Sequence, residues 1–529
     1  MSLESTVGEA AIEQNLEQFL LVLSVSLSVA TLSRIFPWFR KIPYTLLLVI
    51  VGLGLAFVDV RLVNLSPELI LEIFLPPLLF EAAWNIRWRD FKRDLLPVNL
   101  FAIVGVVISV VGIAYAINLL TGLPLTTALL IGASLSATDP VSVIALFREL
   151  GADKRLKTLM EGESLFNDGV AVVAFSLLVG LPLGTEEFAV STTFARFCAF
   201  VGIGVGIGCL VGFGISFLTQ RFDLPLVEQS LTLVSAYGTY LMTENLGGSG
   251  VIGVVTVGLI LGNFGSRIGM NPRTRLIVSE FWDFLAFFVN SIVFLLIGDQ
   301  ISFSRLGNNS DLIVVTIGAV LLTRAVAIYG LGTLSNWLAK SDISWQKLTV
   351  LWWGGLRGSV SIALALSVPA ILDGRQEIID AVFGVVLFTL LIQGLTTQLL
   401  LEKLDLIGDQ PLRQQYSEAL ARRVALNRVR AYLLEAAKSK EIDPEFGRYQ
   451  RELVDGQLRD IQEEIEKLIE QFPQLQALDM EQVQDKMLDI EADTYAEFIR
   501  SGRLNENLSP LLQGALIGAD EKFIEGQRG

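Results

Sequence analysis

Residues 129–147 read LLIGASLSATDPVSVIALF, and residues 162–175 read GESLFNDGVAVVAF. Both are apolar runs that ought to form buried helices. The first is interrupted at its centre by Asp139 and Pro140, and the second carries Glu163, Asn167 and Asp168. Proline removes a backbone donor and clashes with the preceding turn, so a continuous helix breaks there. A charged side chain at the centre of a bilayer costs about 2.5–3.5 kcal/mol on insertion scales, so its presence needs a reason. A broken apolar helix beside a helix bearing carboxylates predicts an all-α membrane bundle built around buried oxygen atoms.

The rest of the chain agrees. Of 529 residues, 52% are hydrophobic and 18% charged, with a mean hydropathy of +0.56; soluble proteins carry about 25% charged residues. The apolar residues gather in runs of roughly 17 to 25, the length that crosses a hydrocarbon core. About thirteen spans are predicted, at 15–34, 43–59, 67–84, 97–120, 124–147, 158–181, 194–218, 226–245, 249–265, 276–298, 312–337, 347–371 and 378–402. An odd count places the termini on opposite sides. Basic residues crowd alternate connections: Arg34, Arg40 and Lys41; Arg87, Arg89, Lys92 and Arg93; Arg148, Lys154, Arg155 and Lys157; Arg221; Arg267, Arg273 and Arg275; Lys340 and Lys347. The others hold only Arg61, Arg305 and Arg375. The positive-inside rule then puts the N-terminus outside and the C-terminus in the cytoplasm of a multi-pass protein, with the plasma membrane the expected location. Residues 1–14 form a short extracytoplasmic stretch, acidic (Glu4, Glu9, Glu13) where a signal peptide is basic.

Two counts exclude whole classes of chemistry. The chain has no histidine, which removes histidine-ligated metal sites, serine–histidine hydrolysis and imidazole proton shuttling. Cys198 and Cys209 stand eleven residues apart in one apolar run, about 16 Å along a helix and too far for a disulfide, so both are read as packing residues. A net charge of −15 argues against nucleic acid as a partner.

The pattern of the break recurs. Residues 348–366, LTVLWWGGLRGSVSIALAL, are interrupted by Gly354, Gly355 and Gly358 around Arg357. Setting DPVSVIAL (139–146) beside RGSVSIAL (357–364) matches small, β-branched and apolar positions in order, and the two are seven spans apart and therefore cross in opposite senses. This predicts an inverted repeat whose two broken helices, spans five and twelve, meet near the midplane. Each break frees amides at one half-helix start and carbonyls at the other half-helix end. Asp139 and Arg357 carry the charges that offset those dipoles.

On the sixth span, helical spacing puts Glu163 beside Asn167 and Ser164 beside Asp168. With Thr138 and Asp139 they make an all-oxygen cluster, which suits a hard cation such as sodium or lithium. Burial disfavours the charged form of a carboxyl group, so one dry carboxylate can hold a proton or a metal cation, though not both. Competition for one seat is sufficient for exchange. Arg324, mid-span in LLTRAVAIYG (321–330), needs a buried partner, and Glu163 is the expected one. Glu72 and Glu81, in LEIFLPPLLFEAAW (71–84), either line an ion path or face a subunit interface.

Beyond residue 404 the composition changes. Residues 411–440 carry seven basic and two acidic side chains in a helical pattern that favours anionic lipid headgroups, and residues 441–529 carry nine basic and twenty-one acidic. Residues 404–529 are read as a cytoplasmic helical tail, either a solvated appendage or a surface for a regulatory partner or self-association.

ATDP (137–140), GESLFNDG (162–169), FLPPLLFEAAW (74–84) and GGLRG (354–358), in this order and spacing, resemble the NhaP-type sodium/proton antiporters, the branch that includes the eukaryotic sodium–proton exchangers. The resemblance covers about residues 15–403. It implies a thirteen-helix homodimer in which a dimer subdomain flanks a mobile core bearing the crossed helices. It implies that Asp168 binds sodium and proton, that Thr138, Asp139, Ser164 and Glu163 surround it, and that Arg324 braces the core through Glu163. Electrogenic relatives have a second aspartate where this chain has Asn167, so the resemblance implies electroneutral exchange. No resident cofactor is expected; the ions are cargo.

Rival classes fare worse. No repeated filter motif supports a channel. GGSG (247–250) reads as a glycine turn, and no glycine-x-glycine-aspartate signature of an intramembrane aspartyl protease surrounds Asp139 or Asp168, so an enzyme is not expected. Exchange of potassium or calcium for protons at the same site, and sodium-coupled solute symport, stay open at this point.

Overall fold

The structure is a computed structural model, and it describes residues 3–36, 42–58, 62, 65–184, 189–220, 224–407, 410–438, 443–472 and 494. Arg40, Lys41, Arg61 and Arg221 of the charge pattern, and most of the tail after 472, lie outside the described residues.

Among the described residues the secondary structure is helical, without strands, and each predicted span contains helix. Five helices among the described residues are long and apolar enough by themselves to cross a membrane: Leu95–Thr121, Val190–Thr219, Arg273–Asp299, Ser310–Ala339 and Arg375–Lys403. The first helix begins at Leu3 rather than at 15, because the glutamates and alanines ahead of the apolar run are themselves good helix formers. The helix of the sixth span begins at Lys154, not 158. Asp153 caps it, accepting the Arg155 N–H at 2.8 Å. Burial acts to raise the Asp153 carboxyl, but Lys347 and the Arg155 N–H outweigh it and hold the group below its ordinary range. GGSG forms the expected turn, with Gly247 at φ +73°.

Proline and glycine shape the bundle. Pro76 and Pro77 open the helix Leu75–Asn85, and the turn before them, Leu69–Phe74, widens to a π-helix, since proline leaves carbonyls there without their usual donors. Helices Tyr44–Phe57 and Pro272–Asp299 approach at Gly52 and Gly298, where a Cβ on either residue would strike the other helix's backbone. Close backbone approach through small residues is how helices pack where lipid supplies no hydrophobic driving force.

The chain divides into two compact units, the second made mostly of residues from Ile407 onward together with Leu150–Ala152. In the second, helices Gln410–Lys438 and Pro444–Gln471 pair around Tyr416, Ala419, Ile461 and Ile465, with Arg430 and Asp455 ion-paired at 3.1 Å.

Candidate ion-binding site

The fifth span is two half-helices, Leu125–Ser134 and Val141–Leu150. The carbonyls left free after the first are taken by Arg357, whose Nη1 donates to Ser136 O at 3.0 Å and Ala137 O at 2.8 Å. At the start of the second, the Val141 N–H donates to Asp139 Oδ1 at 3.1 Å. Negative charge at a helix start and positive charge at a helix end both oppose the local dipole. The twelfth span breaks likewise into Trp345–Trp353 and Ser359–Leu366. The two breaks touch: the Asp139 N–H donates to Leu356 O at 2.8 Å.

Arg324, on the helix Ser310–Ala339, serves the second break as Arg357 serves the first. Its Nη2 donates to Leu351 O at 2.8 Å, its Nε to Trp352 O at 3.1 Å and its Nη1 to Glu163 Oε1 at 2.9 Å. The glycines of GGLRG make room for these charges. A Cβ at Gly355 would collide with the Arg324 guanidinium, and one at Gly358 with the Asp139 carboxylate. Gly358 sits at φ −144°, open to any residue, so what it requires is space. Gly358→Ala is therefore expected to displace Asp139 and depress ion exchange by about tenfold or more, a misplacement of about 1 Å being worth up to 100-fold; initial rates in vesicles check this at equal protein density.

The helix Lys154–Leu178 lies against the first break and fixes it. Asn167 Nδ2 donates to Thr138 Oγ1 at 2.6 Å while its Oδ1 accepts the Thr138 N–H at 3.2 Å, and Ser164 Oγ donates to Thr138 O at 2.5 Å. Asp168 is 9% exposed, and its Oδ1 is buried without a hydrogen-bond partner. Asp139 and Arg357 are within electrostatic range of it.

A cavity of about 240 Å³ reaches this carboxylate, lined by Asp168, Asp139, Thr138, Ser164, Glu81 and Asn290 among others. Toward its far end Glu161 pairs with Lys157 at 3.4 Å and lies 4.0 Å from Arg148, and Asn85 donates to both Glu81 (2.5 Å) and Asp283 (3.3 Å). Three expected site residues do not line it. Glu163 is 2% exposed and turned to Arg324, Asn167 is occupied with Thr138, and Glu72 is exposed elsewhere, within range of Glu244. Asn290 escaped the sequence reading, although an amide in an apolar run is the same signal that exposed Asp168. The arginine contacts to carbonyls were invisible, because a carbonyl leaves no mark in a sequence.

Three comparisons bear on the assignment. The family described as "Sodium/hydrogen exchanger, transmembrane" matches residues 23–403. The Na(+)/H(+) antiporter ApNhaP of Aphanothece halophytica is 69% identical over 98% of this chain and 99% of its own, and the low-affinity Na(+)/H(+) antiporter NhaS1 of Synechocystis is 62% identical over 96% and 98%. The structure of the sodium proton antiporter MjNhaP1 from Methanocaldococcus jannaschii superposes with a TM-score of 0.60 at 22% identity, covering 75% of this chain and 100% of that one, which establishes a shared fold. With the broken helices and apolar spans in place, the chain is an integral membrane protein and belongs to the sodium/hydrogen exchanger family.

Proposed function

We propose that the protein exchanges sodium, and lithium, for protons by alternating access, with the two ions competing for Asp168. The observation that carries this reading is Asp168 itself: its Oδ1 is buried without a hydrogen-bond partner, and its side chain lines a cavity. The names of the 69% and 62% identical relatives point the same way. Thr138 Oγ1, Ser164 Oγ and Asp139 supply further oxygens around the ion, a hard-donor set suited to sodium.

A count of charge supports the exchange. Glu163 is ion-paired with Arg324, and Arg357, held by Ser136 O and Ala137 O, lies within electrostatic range of Asp168 and Glu163. With Asp139 at the break, three carboxylates face two guanidiniums, and one negative charge is in surplus. Loaded with a proton or with sodium the core is neutral, and empty it carries a charge whose movement through a dry barrier is costly. Neutral carriers move and the charged one stalls, which couples the two ions.

Arg148 and Glu161 at the cavity's far end adjoin the basic connection 148–157. With basic connections inside, the cavity opens to the cytoplasm, the N-terminus is outside and the C-terminus is cytoplasmic, in the plasma membrane. Two copies pair through apolar surface such as that of Val190–Thr219, where Phe194, Leu210 and Phe213 are exposed, and residues 404–529 provide a regulatory or self-association surface.

The test is purified protein in vesicles with an imposed pH gradient and a pH dye. Sodium and lithium should collapse the gradient, and potassium and calcium should not. The sodium response should not change when a membrane potential is imposed. A response to potassium or calcium instead of sodium overturns the ion assignment. Asn167→Asp adds a second carboxylate and removes the donor to Thr138 Oγ1. It should slow exchange and make it potential-dependent; indifference to potential removes Asn167 as the determinant of electroneutrality.

A further inference from the structure

The helix Pro272–Asp299 carries an amide, Asn290, inside the apolar run LAFFVNSIVFLL (285–296). An uncompensated amide at that depth is unfavourable. Its neighbour Ser291 is occupied on another face, donating to Phe287 O at 2.6 Å and accepting from Tyr44 Oη at 2.7 Å. The Asn290 side chain makes no hydrogen bond with the described residues and lines the Asp168 cavity from a helix that contributes to neither break.

Asn290 and Asp168 line one cavity, together with Thr138, Asp139 and Ser164.

We propose that Asn290 is a sodium ligand supplied to the Asp168 cavity by a helix other than those of the two breaks. Its carboxamide oxygen completes the ion's coordination as the cavity narrows around it, and so sets affinity for the metal cation over the proton. This rests on Asp168 being the exchange site. A hard cation needs several oxygen ligands, carbonyl-type oxygens included, whereas a proton on Asp168 needs none of them. A carboxamide adds no charge, so it favours the cation while leaving the one-for-one exchange intact.

The test measures sodium half-saturation and maximal rate in vesicles for Asn290→Leu, close in volume, and Asn290→Ser, which keeps a neutral oxygen. Asn290→Leu should raise half-saturating sodium by about 10-fold to 100-fold, the range for losing a supporting contact at a metal site. Its maximal rate and its pH profile at saturating sodium should stay near wild type, and Asn290→Ser should show a smaller rise. Unchanged half-saturation, or a lowered maximal rate alone, overturns the proposal. Asp168→Asn is run alongside: if it still exchanges, the site assignment itself has failed and the role of Asn290 falls with it. If it is inactive while Asn290→Leu behaves as wild type, only the Asn290 role is lost.

Discussion

Asp168→Asn is expected to reduce sodium-triggered proton release to the leak of protein-free vesicles, while the purified protein melts at the wild-type temperature or above it. The two halves of this expectation have separate causes. Function goes because a carboxamide takes up no proton near neutral pH and has no charge for sodium to cancel, so the core is neutral at all times and couples nothing. Stability remains because the Oδ1 that is altered makes no hydrogen bond in the protein, and because the substitution removes a buried charge near the like charge of Asp139. Losing an unpaired buried charge is neutral or stabilising, unlike breaking a satisfied pair. Asp139→Asn is the control, since Asp139 lines the same cavity but also caps Val141. It should lose some stability as well as rate. Retained exchange in Asp168→Asn, with loss in Asp139→Asn, would transfer the role to the residue at the break.

This asymmetry between two aspartates shows what a sequence reveals. The fold class was legible because apolar length has only one economical explanation, and the two breaks because proline and clustered glycine act locally. Asp168 was legible because its cost in a bilayer is large and no neighbour in sequence offsets it. The Arg324–Glu163 pair was inferable for the same reason, each needing an opposite charge. What the sequence withheld depends on backbone atoms and on packing between distant spans. Asn167 shares a helix with Asp168, and was expected among the ion's neighbours. It faces Thr138 instead, and only the register between helices decides that. Glu81 and Glu72 were indistinguishable nine residues apart on one span; the π-helical turn before Pro76 lies between them, and the cavity reaches only Glu81.

Arg324→Ala should be among the most destabilising substitutions in the bundle, with a loss of about 3–5 kcal/mol, the scale for stranding one partner of a buried ion pair; exposed pairs such as Arg430–Asp455 are worth about 0.2–1 kcal/mol. Arg324 is 7% exposed and Glu163 2% exposed, so neither charge can recover solvation in place. The substitution also removes the donors to Leu351 O and Trp352 O, leaving the end of a half-helix open beside the site. Arg324→Lys should rescue little, because a single ammonium lacks the planar fork that reaches three acceptors at once. Glu163→Ala strands a cation that still holds two carbonyls, so it should cost less than Arg324→Ala. The double variant should lose less than the sum of the two, by a coupling of about 1–3 kcal/mol in thermal or denaturant unfolding. Additive losses would mean that Arg324 works through the carbonyls alone and that Glu163 is a bystander. With coupling present, the pair is a brace. Double-variant protein that stays folded in the cold should then still show competition between sodium and protons at Asp168, since neither Arg324 nor Glu163 lines its cavity.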